Sequence, residues 1–174
     1  SVDYVQGEGR LDGDRTVVVG DRRLVGRHVV LATGSYARTL PGLDIGGPIM
    51  TSDGALALES VPGRVVVLGG GVIGVEFASV MRSFGAEVTI VEALPRLVPN
   101  EDEAVSAELE KSFKKRGIAS FTGTKVTSAR AVDDGVELEA ELPGGKAQSF
   151  KADLLLVATG RAANARELDV LRRL

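Results

Sequence analysis

The chain has 174 residues, 44% hydrophobic and 26% charged, with a net charge of −3 and no cysteine. This is a globular composition with material for one ordinary core or slightly more, and the lack of a basic block gives no reason to expect nucleic acid or an anionic membrane as partner. Without cysteine, the chain can supply no disulfide framework, Cys-based metal site or thiol nucleophile.

In chain order, residues 16–31, TVVVGDRRLVGRHVVL, predict a strand, a turn at Gly20-Asp21, a second strand, and a buried apolar strand running into LATGS. The single histidine, His28, stands at the entry to that last strand and reads as an exposed ring, and one histidine supports neither a His-cluster metal site nor a Ser-His triad. Residues 41–64 hold Pro41, Gly42, Gly46, Gly47, Pro48, Pro62 and Gly63, a density that predicts a linker. A short helix around Gly54–Glu59 is expected within it, capped by Ser52 or Asp53.

RVVVLGGG follows, a buried strand entering a glycine loop. Ile73, Phe77, Val80, Met81 and Phe84 then recur at helical spacing, with Gly85 as the stop. EVTIVE is the next strand. Residues 101–116 are acidic in front and basic behind, the order a helix dipole favours, with Val105, Leu109 and Phe113 four apart. VELEAEL alternates with period two, so it predicts a strand with one wet face. Pro143-Gly144-Gly145 makes a turn, and AQSF leads to the apolar strand DLLLVATGR. The runs Val65–Leu68 and Leu154–Ala158 are strand-length, far short of a membrane span. There is no basic-then-apolar leader at Ser1, which gives a cytoplasmic expectation. The pattern reads as α/β: a Rossmann-like parallel sheet with a β-meander inserted before its last strand, a three-layer arrangement.

VVLATGS (Val29–Ser35) and LLVATGR (Leu155–Arg161) are near copies, each expected to end a buried strand. Only the second has a glycine loop and helix before it. The expectation is a fragment of a larger protein: 1–40 the tail of one nucleotide domain, 41–62 a crossover, 63–161 a second nucleotide domain, and 162–174 the start of a return segment.

Gly69, Gly71 and Gly74 fit G-x-G-x-x-G between a buried strand and an amphipathic helix. Gly69 permits the sharp turn, Gly71 leaves room for a pyrophosphate, and Gly74 allows close packing of helix on sheet, while the helix start at Val72 and Ile73 turns its free N–H groups toward the phosphates. Glu92 ends the next strand at roughly the 20-residue distance expected of a carboxylate that binds the adenosine ribose. A carboxylate there favours NAD(H) over NADP(H), and Arg96 is the nearest cation. FAD sites use a similar fingerprint, so the motif alone leaves FAD open.

GGGVIGVEFA, VTIVEALPRLVPNEDEA and LLVATGRAAN together resemble the central NAD-binding domain of the dihydrolipoamide dehydrogenases, within the FAD-dependent pyridine nucleotide–disulfide oxidoreductases. LATGSYARTLPGL resembles the end of that family's first FAD segment. The resemblance implies that Gly69, Gly70, Gly71, Val72, Ile73 and Gly74 form the NAD loop. It also implies Glu92 on the ribose, Val126 beside the adenine, Gly160 against the cofactor through its backbone, Gly34 touching FAD, and Glu76 near the flavin–nicotinamide contact. No residue here would act as acid, base or nucleophile. Ala163 stands where the family usually has proline. The FAD fingerprint, the redox cysteine pair, the later Gly-Asp flavin motif and the His–Glu dyad do not occur in the chain. The resemblance further implies FAD and interface domains as partners, a homodimer, and a lipoyl-bearing acyltransferase of a 2-oxoacid dehydrogenase complex. A sister flavoprotein (an NADH oxidase, transhydrogenase or mercuric reductase) and a stand-alone NAD(H)-binding module are the alternatives.

Overall fold

The computed structural model describes residues 1–165, so the expectation for 162–174 lies mostly outside the described residues. The chain divides into two compact units, one containing Ser1–Tyr36 with the residues from Ala162, the other Ala37–Arg161.

In the first unit β1 (Gly9–Leu11), β2 (Thr16–Val19) and β3 (Arg22–Val25) form an antiparallel sheet, with Gly20 at φ 57 in the β2–β3 turn. The expected strand, turn and strand are therefore present. The expected third strand is not: residues 26–34 have no strand structure, Val30 is 86% exposed, and His28 is exposed. A strand needs a neighbour to take its N–H and C=O groups, and among the described residues this apolar run has none. The two Ala-Thr-Gly copies thus end different structures. β4 (Ser35–Ala37) follows.

The second unit contains β5 (Ile49–Thr51), α1 (Ser52–Ala55), β6 (Arg64–Leu68), α2 (Val72–Ser83), β7 (Glu87–Val91), α3 (Glu103–Lys115), β8 (Ala119–Phe121), β9 (Lys125–Val132), β10 (Gly135–Glu141), β11 (Ala147–Ala152) and β12 (Leu154–Val157), and β13 (Arg161–Ala163) ends the described strands. Five strands form a parallel sheet in the order β5-β12-β6-β7-β8. The stretch 41–62 supplies β5, an edge strand paired with β12. Its helix starts earlier than expected, at Ser52, with Thr51 as N-cap and no side-chain cap, because the turn begins directly at the end of β5.

Alternation along each central strand feeds two cores. Val65, Val67, Val88, Ile90, Leu154 and Leu156 pack with Val75, Ala78 and Met81 of α2 and Phe113 of α3. Val66, Leu68, Val91, Leu155 and Val157 face the other way, against Val136, Leu138 and Ala140 of β10 and Phe150 of β11. Covered on both faces, β6 and β12 must be apolar at successive positions, which is why they read as continuous runs. The meander order is β11-β10-β9, and β10 alternates as expected, burying Val136, Leu138 and Ala140. The unit is α/β in three layers: helices, parallel sheet, meander.

Helix ends follow their residues. Asp102 caps α3, accepting from Ala104 N at 2.8 Å, with Glu103 in the first turn and Lys114 and Lys115 in the last. Val105 of the expected apolar row is 54% exposed, so only Leu109 and Phe113 pack inward. α2 stops at Gly85, φ 101, where Ala86 N donates to Met81 O at 3.0 Å.

Asp153 ties β12 to β6. Its Oδ2 accepts from Arg64 N at 2.8 Å and its Oδ1 from Arg64 Nη2 at 2.8 Å. The Arg64 side-chain bond, then the Arg64 backbone bond, hold its carboxyl below the ordinary value of 3.8. Because the folded pKa is depressed, this contribution is complete above the ordinary aspartate range and is lost as pH falls through that range and below. The carboxylate is partly solvated, so the effect is modest. Asp153→Asn is expected to lower the thermal midpoint slightly at neutral pH, with the difference from the unmutated chain shrinking as the pH falls below the ordinary aspartate range; an offset that stays constant as the pH falls would contradict this.

Candidate functional site

A cavity of about 590 Å³ opens in the second unit at the C-terminal ends of the parallel strands. From β6 the chain crosses to β7 on one side, and β12 lies on the other, so the sheet order reverses here, the place where open α/β sheets bind ligands. Its walls come from the residues just after β6, β7 and β12, together with Thr124 before β9 and Lys125 and Val126 at its start.

Gly69 has φ 111, and a Cβ there would run into the Ala158 carbonyl oxygen. The loop must therefore be glycine where it passes the end of β12. Gly71, the N-cap of α2, has φ −72 and lines the cavity, and a methyl placed on it would meet nothing within 4 Å. Its missing side chain leaves space on the cavity side. Gly74 is buried, and a Cβ there would collide with the Gly69 carbonyl oxygen. The three fingerprint glycines thus do three different jobs.

Glu92 lines the cavity yet is only 8% exposed. Its Oε2 accepts from Gly70 N at 2.5 Å and its Oε1 from Leu94 N at 2.7 Å. The carboxylate therefore braces the glycine loop as well as presenting its remaining lone pairs to the cavity. Lys125 is the other charged lining residue, and it is exposed. Arg96 does not line the cavity: its Nη1 donates to Glu103 Oε1 at 2.7 Å and its Nη2 to the Pro99 carbonyl at 2.9 Å and the Glu101 carbonyl at 3.1 Å.

Of the residues expected at a cofactor, Gly69, Gly71, Val72, Ile73, Glu92, Val126 and Gly160 line this one cavity. Gly160 has φ 120, and its carbonyl accepts from Arg38 N at 2.9 Å. Gly70 and Gly74 lie behind the lining, and Glu76 is exposed on α2 outside it. Gly34, φ 79, belongs to the first unit, where its carbonyl accepts from Asn164 N at 2.9 Å. Sequence reasoning missed Leu94, Pro99, Asn100, Thr124 and Thr159. The available signal was position for Leu94, Thr124 and Thr159, which stand close to the cavity ends of β7, β9 and β12, whereas Pro99 and Asn100 lie further along the connection from β7 to α3 and had none.

The arrangement can hold an elongated, phosphate-bearing ligand: a glycine bend, a helix start and a buried carboxylate in sequence along one crevice. Among the described residues no group of histidine, cysteine or carboxylates could hold a metal ion, and no helix is long and apolar enough to cross a membrane.

Residues 1–172 match the family described as pyridine nucleotide-disulphide oxidoreductase. The chain is 43% identical to dihydrolipoyl dehydrogenase 3 of Pseudomonas putida over 97% of its own length and 38% of that protein's. It is 42% identical to dihydrolipoyl dehydrogenase of Bacillus subtilis, over 81% of this chain and 30% of that one. Among solved structures it is similar to a Cu(II) complex of the HOCl-induced flavoprotein disulfide reductase RclA from Escherichia coli, with a TM-score of 0.75 and 26% identity, covering 95% of this chain and 38% of that chain. The chain thus spans only 30% to 38% of the length of these relatives, and with a family match over nearly all its residues it belongs to the pyridine nucleotide-disulphide oxidoreductases.

Proposed function

We propose that the second unit binds NAD(H) and that the chain is the nicotinamide-binding part of a dihydrolipoyl dehydrogenase. The observation that carries this is the joint placement of Gly69, Gly71, Val72, Glu92, Val126 and Gly160 around one crevice at the reversal of a parallel sheet. The residues present fit the cofactor, since the side of Gly71 is empty where a pyrophosphate would pass. Gly69 to Ile73 would hold the pyrophosphate, Glu92 the adenosine ribose, Val126 the adenine side, and the Gly160 backbone would approach the nicotinamide half. Arg96 is committed to carbonyls and to Glu103, which leaves Glu92 rather than a guanidinium at the ribose position and supports NAD(H) over NADP(H).

When bound, nicotinamide and flavin supply the hydride transfer of dihydrolipoamide oxidation. The chain's own part is to bind and orient the dinucleotide, so that transfer is effectively intramolecular, with no acid, base or nucleophile required from it. The described residues of the first unit form short strands and no helix, so they do not make a flavin cradle of their own. FAD, with Gly34 against it and Glu76 near its contact with nicotinamide, would therefore depend on further segments. In this reading 1–40 ends a FAD domain, 41–62 crosses over, 63–161 is the NAD domain and 162–174 begins the return. The complete enzyme would be a cytoplasmic homodimer serving a lipoyl-bearing acyltransferase. The likeness to the E. coli structure favours a second reading, the same domain in a sister flavoprotein disulfide reductase. Titration with NADH and NADPH tests the cofactor assignment. NADH is expected to bind the more tightly, and equal affinity would remove the argument from Glu92.

A further inference from the structure

We propose that Gly70, the residue between the first two fingerprint glycines, is a positioning residue whose missing side chain serves a strap of the protein itself and not the ligand. The inference rests on the dinucleotide reading of the cavity. Gly69 and Gly71 line the crevice; Gly70 does not. Its backbone needs no positive φ, so conformation does not demand glycine. Space does. A Cβ on Gly70 would stand 2.6 Å from Leu97 Cδ2 and 3.1 Å from both Cβ and Cγ of Glu92.

Those contacts belong to the connection between β7 and α3, which grips Gly70 from both ends of its backbone. Glu92 Oε2 accepts from Gly70 N, and Val98 N donates to the Gly70 carbonyl at 2.8 Å. Leu97 is fully buried, and its N–H donates to Glu110 Oε1 of α3 at 2.9 Å. Val98 is the one non-glycine residue with positive φ, 41, among the described residues, and a β-branched side chain disfavours that conformation. The surroundings hold it: Glu101 N donates to its carbonyl at 2.9 Å, and Ser106 Oγ reaches the same oxygen at 3.4 Å.

The consequence is geometric. Gly69, Gly71 and Val72 form one wall of the crevice, while Leu94, Pro99 and Asn100 of the strap form another. With Gly70 clamped, the spacing of these walls is set before any ligand arrives. A methyl at position 70 cannot be absorbed by Glu92 without breaking its bonds to Gly70 and Leu94, and Leu97 has no solvent to move into. The strap must back away.

A double-mutant cycle read by NADH titration of the full chain tests this. Gly70→Ala is expected to weaken NADH binding about tenfold, the scale of an overpacked contact. Adding Leu97→Val, which withdraws the clashing Cδ2, is expected to restore most of that loss. Leu97→Val is not expected to rescue Gly71→Ala, whose methyl would meet only ligand. Unchanged binding in Gly70→Ala, or no rescue by Leu97→Val, would overturn the proposal. Amide hydrogen exchange of the ligand-free chain provides an arm independent of binding and of how Gly70→Ala folds. The Gly70 and Val98 N–H groups should be protected, and Leu97→Ala should expose both together while leaving Phe84 N–H on α2 unaffected. Rapid exchange at Gly70 and Val98 in the unmutated chain would also overturn the clamp. Failure of the unmutated chain to bind NADH would instead remove the dinucleotide reading, with the exchange result still deciding the clamp.

Discussion

Gly74→Ala is expected to lower the thermal midpoint of the chain by about 6–12 °C and to abolish measurable NADH binding. Gly74 lies in the first turn of α2, and the new methyl would meet the Gly69 carbonyl oxygen, with Val67 Cγ1 at 3.3 Å on its other side. Neither can retreat. Gly69 N donates to the Val91 carbonyl at 2.9 Å, fixing the loop to β7, and Val67 is fully buried in the sheet. The helix would have to lift off the sheet, and overpacking of this kind costs about 3 kcal/mol. In a chain of this size each kcal/mol shifts the midpoint by about 2–4 °C. Lifting α2 also moves its first N–H groups away from the crevice, which is why binding is lost with stability. Gly71→Ala is the matched comparison. Its methyl meets no protein atom, so the midpoint should stay within about 1 °C, the range of a neutral surface change. Scanning calorimetry of the two variants would reveal an error in this packing argument as equal midpoints.

Glu92→Ala is expected to weaken NADH binding by about ten- to a hundredfold, from a charged hydrogen bond of roughly 1.5–3 kcal/mol at about 1.4 kcal/mol per decade. NADPH binding should weaken less, because a 2′-phosphate gains little from a carboxylate. The structure adds a second effect. Removing the carboxylate leaves the Gly70 and Leu94 N–H groups without their acceptor, and the one at Gly70 is buried. An orphaned buried donor costs about 1–3 kcal/mol, so the midpoint should fall too. The same geometry speaks against Glu92→Arg as a switch to NADPH. A guanidinium offers only donors, and two N–H donors already point at the site. Titration of both dinucleotides against the unmutated chain and Glu92→Ala checks the assignment. An unchanged NADH/NADPH ratio would reduce Glu92 to a brace for the loop.

The parallel sheet was legible because β6 and β12 are buried on both faces and so have no polar positions to interrupt VVVL and LLLV. The meander was legible for the opposite reason: β10 has one wet face, and Glu137 and Glu139 alternate with Val136 and Leu138. The same signal misled at HVVL, where apolar residues suggested a buried strand but the described residues supply no partner for it, and Val30 is exposed. Local pattern reports what a segment could bury, not whether a neighbour is there to bury it. The site divided along similar lines. Gly69 and Gly74 stand out by spacing because each answers a steric demand of the bend, and Gly71 and Glu92 stand out by their fixed distances from them. The strap did not, since Leu97 and Val98 read as an ordinary apolar pair and their contact with Gly70 spans 27 and 28 positions of sequence. Val98 at φ 41 has no sequence signature at all, because its backbone is held by a bond to the distant Gly70 carbonyl together with bonds from Glu101 and Ser106 nearby, none of which a residue pattern announces.

The central claim is that one crevice, assembled from four separate loops, binds a nicotinamide dinucleotide. Backbone amide chemical-shift mapping on addition of NADH tests it residue by residue. The account predicts saturable shifts at Gly69, Gly71 and Val72, at Ala93 and Leu94, at Lys125 and Val126, and at Thr159 and Gly160, all following one binding curve, and much weaker in Gly71→Ala. Shifts confined to exposed positions elsewhere, or none at the glycine loop at saturating NADH, would contradict it.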